Sequence, residues 1–151
     1  MPAEVGKPAP DFTLRDTDNN PVSLSDLKGK KAVIVFIPFP WTGICDGEAC
    51  AIRDDQGFHN EGAETVIITT YPRPALKQWS EQNNLGVKVL SDFWPHGATA
   101  QAYGCFNEQL GVAMRASFVL DENGVVKEII RTDTLPEKRD HDLYKKALSA
   151  I

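Results

Sequence analysis

Residues 32–50 read AVIVFIPFPWTGICDGEAC, from Ala32 to Cys50, and the change of pattern inside this stretch decides the architecture. Ala32–Ile37 is an unbroken run of β-branched, aromatic and small apolar residues, the composition of a strand buried on both faces. Pro38 and Pro40 follow the strand and stiffen the chain leading out of it. Thr42 is a good N-cap residue, so a helix is expected to open at Gly43 and to end near Gln56-Gly57. The stretch also holds two cysteines, Cys45 and Cys50, which admit three readings: a metal clip, a structural disulfide, or a reactive thiol with its resolving partner.

Outward from this strand and helix, the remaining pattern alternates. Asp11–Arg15 and Val22–Leu24 read as short strands around the turn cluster Asp18-Asn19-Asn20. Thr65–Thr70 is a second buried strand, and Pro72–Asn83 a helix with proline in its first turn. Val87–Leu90 predicts a short strand and Ala98–Tyr103 a short helix. Ala116–Asp121 and Val125–Arg131 flank Glu122-Asn123-Gly124, whose Asn-Gly pair signals a hairpin. Pro136–Ala150 predicts a terminal helix. Early helical crossovers imply parallel strand pairs, and the late hairpin adds an antiparallel one. The expectation is an α/β protein with a mixed central β-sheet and helices on both faces, of thioredoxin-like kind, forming one domain over residues 1–151.

The composition narrows the function. The chain has 151 residues, 42% hydrophobic and 25% charged, with a net charge of −5, which argues against a general nucleic-acid or membrane-surface role. Its basic cluster, Lys28-Gly29-Lys30-Lys31, reads as a solvated turn before a strand. The longest apolar run, Ala32–Phe39, falls far short of the roughly 20 residues that span a bilayer. The polar, proline-rich start has no apolar signal core, so a cytoplasmic location is expected. Three cysteines, an odd number, do not suggest a secreted disulfide framework.

Cys45 falls in the first turn of the expected helix, where unpaired N–H groups and the helix dipole stabilise a thiolate. The competing reading is a small buried hydrophobe. The Thr42 hydroxyl, three residues earlier, would lie near the sulfur as hydrogen-bond donor or simply cap the helix. Pro38 and Pro40 would shield the sulfur or only rigidify the loop. Glu48 shares nearly the same helical face as Cys45, and a carboxylate there disfavours a thiolate unless a cation intervenes. Arg53 or a distant arginine must supply that cation. Five residues of α-helix turn by about 140° and rise about 7.5 Å, which puts the Cα atoms of Cys45 and Cys50 roughly 8–9 Å apart. A disulfide usually needs less than about 7 Å. The pair can therefore bridge only if the first turn unwinds, which suits a transient catalytic bond; Cys50 as a mere core residue is the alternative. No CxxC or HxxxH spacing is present and His59, His96 and His141 are scattered, so no metal site is expected. Phosphate-loop and dinucleotide fingerprints are absent, and no cofactor is expected.

Pro38 to Cys45 also spells PxxxTxxC, which resembles the reactive-cysteine signature of the peroxiredoxins. Val5–Phe12 (VGKPAPDF) is similar to that family's GxxAPDF opening, and SDFWPHGATAQAYGCFNEQLGVAMRASFVLDENG, Ser91–Gly124, resembles its later block. The spelling is near the alkyl hydroperoxide reductase E group of one-cysteine peroxiredoxins. The likeness spans essentially the whole chain. It implies Cys45 as peroxidatic cysteine, Thr42 as the orienting hydroxyl and Pro38 as the shielding proline. It likewise implies Arg115 as the arginine that stabilises thiolate and peroxide, with Glu48 holding that arginine. Cys50 stands where Q-type (bacterioferritin-comigratory) peroxiredoxins often carry a resolving cysteine, and Cys105 is a second candidate.

The implied function is a thiol-dependent peroxidase acting on hydrogen peroxide and organic hydroperoxides through a cysteine sulfenic acid. A peroxide sensor that relays oxidation to a partner is the alternative, and turnover separates the two. A general dithiol oxidoreductase is disfavoured by the missing CxxC. The expected reductant is thioredoxin or a similar dithiol protein if Cys50 resolves. Otherwise it is a mycoredoxin or glutaredoxin-like protein or a low-molecular-weight thiol. A homodimer is expected from the resemblance, with Trp41 and Phe93-Trp94-Pro95 as contact candidates or, alternatively, core residues.

Overall fold

The structure, a computed structural model, describes residues 2–54, 63–132, 139 and 142–151. In chain order the elements are β1 (Thr13–Asp16), β2 (Pro21–Ser23), a 3-10 turn (Leu24–Leu27), β3 (Ala32–Phe36) and α1 (Gly43–Asp54). They continue with β4 (Glu64–Thr69), α2 (Arg73–Asn83), β5 (Lys88–Ser91), α3 (Ala98–Tyr103), β6 (Phe106–Asn107) and β7 (Val112–Ala113). The chain closes with β8 (Ala116–Leu120), β9 (Val126–Arg131) and α4 (Asp142–Ser149).

Seven strands form one sheet in the order β2-β1-β5-β4-β3-β8-β9. β3, β4 and β5 run parallel, whereas β1 on β5, β8 on β3 and β9 on β8 are antiparallel. β3 lies inside the sheet, and all five of its residues are buried. Its two faces feed two cores, as period-2 alternation requires. Val33, Val35 and Ile37 pack with Cys45, Ala49 and Ile52 of α1, Leu76 and Trp79 of α2, and Tyr144 and Leu148 of α4. Ile34 and Phe36 pack on the other face with Phe12, Leu24, Tyr103 of α3 and Phe118. The expected α/β sheet with helices on both faces is the fold observed, and it is thioredoxin-like. Among the described residues, no helix is long and apolar enough to cross a membrane.

The predicted hairpin forms between β8 and β9. Asp121 Oδ1 accepts hydrogen bonds from the N–H groups of Asn123 and Val125, and Gly124 takes φ +78°, a conformation that favours glycine. Sequence reasoning missed the 3-10 turn and the β6–β7 ladder, whose two-residue strands are too short to carry an alternation. The predicted end of the first helix at Gln56-Gly57, and residues 136–138, 140 and 141 of the predicted last helix, lie outside the described residues. The last helix is described over Asp142–Ser149.

Candidate active site

β3 delivers the chain into the turn 37–42, and α1 starts immediately after it. Thr42 is the residue before the first helical position, and its carbonyl accepts the N–H of Asp46 at 2.9 Å, which is what an N-cap does. Of residues 38–40 only Phe39 has an amide N–H, because Pro38 and Pro40 have none. That N–H points at Cys45 Sγ, 3.3 Å away. Cys45 itself is fully buried in the first turn of α1.

A second donor reaches the sulfur from the neighbouring strand. Arg115, next to the start of β8, donates through Nη1 to Cys45 Sγ at 3.0 Å and to Glu48 Oε1 at 2.8 Å. Glu48 is gripped from the other side by Arg139. Nε and the backbone N of Arg139 donate to Oε2 at 2.8 and 3.0 Å, and Nη2 donates to Oε1 at 2.8 Å. Arg139 Nη1 continues to the Phe36 carbonyl at 2.8 Å and to Ser117 Oγ at 3.0 Å. Ser117 Oγ shares a 2.6 Å hydrogen bond with Tyr144 Oη on α4. Arg115, Glu48 and Arg139 are all buried. Burial alone would push the Glu48 carboxyl up, but hydrogen bonds and charge from Arg139, with the charge of Arg115, outweigh it and hold the carboxyl below its ordinary value. Two guanidinium cations thus face one carboxylate, and the buried group is electrically balanced when Cys45 carries the second negative charge.

Cys45, Arg115 and Glu48 therefore come together as a unit, and Pro38 lies buried in the turn leading to it. The cation that Glu48 demanded is not Arg53, which points away to Asp54 and the Asn83 carbonyl. The Thr42 hydroxyl departs from expectation: it donates to the Phe39 carbonyl at 2.6 Å rather than to the sulfur. The turn folds back so that Phe39 takes the Thr42 hydroxyl on its carbonyl and turns its own N–H to the sulfur.

Arg139 was missed. Its signal was an arginine near the start of a predicted helix, where a positive charge is unfavourable unless paired. The Phe39 N–H was missed as well, although the two flanking prolines left it as the sole amide in its segment.

All three cysteines are free. Cys50 is half-buried on α1, whose helix is continuous from Gly43 to Asp54 and so separates it from Cys45. Cys105 belongs to the core on the opposite face of the sheet, with Phe36 and Tyr103. Burial pushes its thiol up to about 12, and the sheet stands between it and Cys45. That placement keeps it apart from Cys45. His96 turns both ring nitrogens to backbone carbonyls, Nε2 to Gly111 at 2.6 Å and Nδ1 to Phe93 at 3.3 Å; His59 and His141 lie outside the described residues. Trp41, Phe93 and Trp94 are exposed, Trp94 by 81%, so they are not core residues.

A buried cysteine at a helix start, beyond a parallel strand and faced by a guanidinium and an amide N–H, defines a thiol-based redox protein on a thioredoxin-like sheet. The chain belongs to the AhpC/TSA family of peroxiredoxins, which matches residues 5–129. It is 44% identical over 149 residues to alkyl hydroperoxide reductase E of Mycobacterium tuberculosis, covering 97% of each chain. It is 36% identical over 142 residues to chloroplastic peroxiredoxin Q of Oryza sativa subsp. japonica, covering 93% of this chain and 64% of the relative. Among solved structures, peroxidoxin BcpB from Mycobacterium tuberculosis matches with a TM-score of 0.87 at 28% identity, covering 99% of this chain and 98% of the other.

Proposed function

We propose that this chain reduces hydrogen peroxide and organic hydroperoxides with electrons drawn from thiols, using Cys45 as the nucleophile. The observation that carries the reading is Arg115 Nη1, 3.0 Å from Cys45 Sγ while also bound to Glu48. The Cys45 thiolate attacks the terminal peroxide oxygen in line with the O–O bond. An S–O bond forms, the O–O bond breaks, and its electron pair leaves on hydroxide from hydrogen peroxide or on alkoxide from an organic hydroperoxide, which takes a proton from solvent. The sulfur is oxidised by two electrons to a sulfenic acid and the peroxide is reduced to water or, from an organic hydroperoxide, to an alcohol. Arg115 and the Phe39 N–H are fixed donors where negative charge moves from sulfur to oxygen. Thr42, exposed at the mouth, holds the turn and offers lone pairs to the peroxide O–H. Pro38 limits water at the sulfur, and Glu48 keeps Arg115 in register.

The sulfenic acid is then resolved by Cys50. The Cys50 sulfur attacks Cys45, the S–O bond breaks, an S–S bond forms, and water leaves with the Cys50 proton. A thioredoxin-like dithiol partner reduces the disulfide by exchange. A mycoredoxin, a glutaredoxin-like protein or a small thiol would instead attack the sulfenic acid of a chain whose Cys50 stays silent. The exposed aromatics Trp41, Phe93 and Trp94 support pairing with a second copy, and the odd cysteine count fits a reducing, cytoplasmic setting.

Peroxide consumption with excess thiol reductant tests the activity. Multiple turnovers are expected from the parent and none from Cys45→Ser; turnover surviving that substitution, or a single oxidation without cycling, overturns the reading. Mass spectrometry after one equivalent of peroxide is expected to find a Cys45–Cys50 disulfide in the parent and a sulfenic acid in Cys50→Ser.

A further inference from the structure

The seam between α1 and α2 is fastened by polar contacts that the peroxide chemistry does not use. Asp46 Oδ1 accepts two hydrogen bonds, from the Trp41 backbone N–H at 2.9 Å and from the Trp79 indole N–H at 2.7 Å. Trp79 is wholly buried, so its indole N–H depends on that carboxylate for a partner. One helical turn on, the Cys50 thiol donates to Asn83 Oδ1 at 3.8 Å and Arg53 Nη1 donates to the Asn83 carbonyl. Asn83 Nδ2 donates back to the Trp79 carbonyl at 2.9 Å. Trp79 and Asn83 on α2 thus hold both halves of α1.

The Asp46 contact reaches the reactive sulfur through the turn. Trp41 takes φ +78°, a left-handed conformation that a non-glycine residue adopts at a cost, and the Asp46 bond to its N–H secures it there. Next to it, Thr42 binds the Phe39 carbonyl, and the Phe39 N–H meets Cys45 Sγ. Loss of the Asp46 anchor would release the turn and the first turn of α1 together.

We propose that Asp46 is a positioning residue: it latches the start of α1 to Trp79, and release of this latch is the step that lets the oxidised Cys45 sulfur reach Cys50. The second clause rests on the proposed role of Cys50; the first stands without it.

Hydrogen exchange of the reduced full-length protein, read by mass spectrometry, tests the latch. Asp46→Ala and Trp79→Phe should each speed exchange at residues 43–46 about tenfold, the lower end of what a hydrogen bond to a charged acceptor contributes. Exchange in β3 should stay unchanged. Asp46→Asn keeps an acceptor oxygen and should remain within about threefold of the parent. After one equivalent of peroxide, the Cys45–Cys50 disulfide should form about tenfold faster in the first two variants. Unchanged exchange at 43–46 in both variants, or an equal rise in β3, overturns the latch. Faster local exchange with unchanged disulfide kinetics overturns its role in the step. A parent that forms no Cys45–Cys50 disulfide refutes the role of Cys50, while confined exchange at 43–46 still supports the positioning by Asp46.

Discussion

Arg139→Met is the substitution that most directly probes the buried charge balance. Arg139 makes three contacts to Glu48, two of them through its guanidinium, and the methionine leaves only the backbone one. Arg115 then faces both Glu48 and the Cys45 thiolate, a surplus of one negative charge in a buried site. Breaking a buried ion pair by removing one partner costs about 3–5 kcal/mol. At about 2–4 °C per kcal/mol for a chain of this size, the thermal midpoint should fall by about 6–20 °C. Arg139 does not touch the sulfur, so the rate of peroxide reduction should fall by about tenfold, less than the 100–1000-fold that follows loss of a direct donor. A double-mutant cycle with Glu48→Gln sharpens the test. Removing both partners restores the balance between Arg115 and the thiolate, so the double variant should be more stable than the sum of the single losses predicts, by at least about 1.5 kcal/mol. Calorimetry and stopped-flow peroxide mixing read both quantities. Additivity within about 0.5 kcal/mol, or a single variant that melts within about 2 °C of the parent, would refute the charge-balance reasoning.

Three further outcomes are expected. The Glu48 carboxyl is held below its ordinary value of 4.5, so the stability it contributes is present above about pH 4.5 and is lost as pH falls through the depressed folded value; acid titration of Glu48→Gln by circular dichroism should lack that component. Iodoacetamide on the native reduced protein at pH 8 should label half-buried Cys50 and leave Cys105, whose thiol is pushed up to about 12 by burial, unlabelled until denaturant is added; labelling of native Cys105 would contradict its placement. Tyr144→Phe removes the 2.6 Å bond to Ser117 and should lower stability by about 1 kcal/mol, which chemical denaturation can measure.

The legible parts of the fold are those written into local pattern. The five buried residues of β3 and the Thr42 start of α1 were readable because a continuous apolar run and an N-cap act over a few neighbouring positions. Ala98–Tyr103 was read to the residue because Gly97 and Gly104 bracket it. The site was readable only as far as its local half. Cys45 and Glu48 share one helix, but the Arg139 guanidinium meets Glu48 across 91 residues, and its place near the start of a predicted helix calls for a partner without saying which. The direction of the Thr42 hydroxyl was equally hidden, since it depends on where the Phe39 carbonyl turns after two prolines. Cys105 shows the opposite failure. The sequence left it open as a resolving thiol, whereas its position just after α3 puts it in the core on the other face of the sheet.

Oxidation itself alters what holds the sulfur. In the thiolate form, Sγ accepts from Arg115 and from the Phe39 N–H, and both bonds are strengthened by its negative charge. The sulfenic acid carries no charge, so Arg115 and Arg139 then face Glu48 alone and the buried cluster has one positive charge in surplus. On the proposed route, the contacts that fasten Cys45 to the sheet weaken at the stage when its sulfur would travel towards Cys50. The Asp46–Trp79 bond is untouched by that chemistry and, in the proposed latch, is the restraint that remains on unwinding. The two groups of contacts should therefore separate kinetically. Arg115→Met should slow the peroxide step by about 100-fold or more and leave the later disulfide step nearly unchanged. Asp46→Ala should accelerate the disulfide step, with a smaller effect on the first. Rapid-quench mass spectrometry resolves the two steps. Equal slowing of both by Arg115→Met would show that the sulfenic acid is still held by the arginine, and that charge loss does not release it.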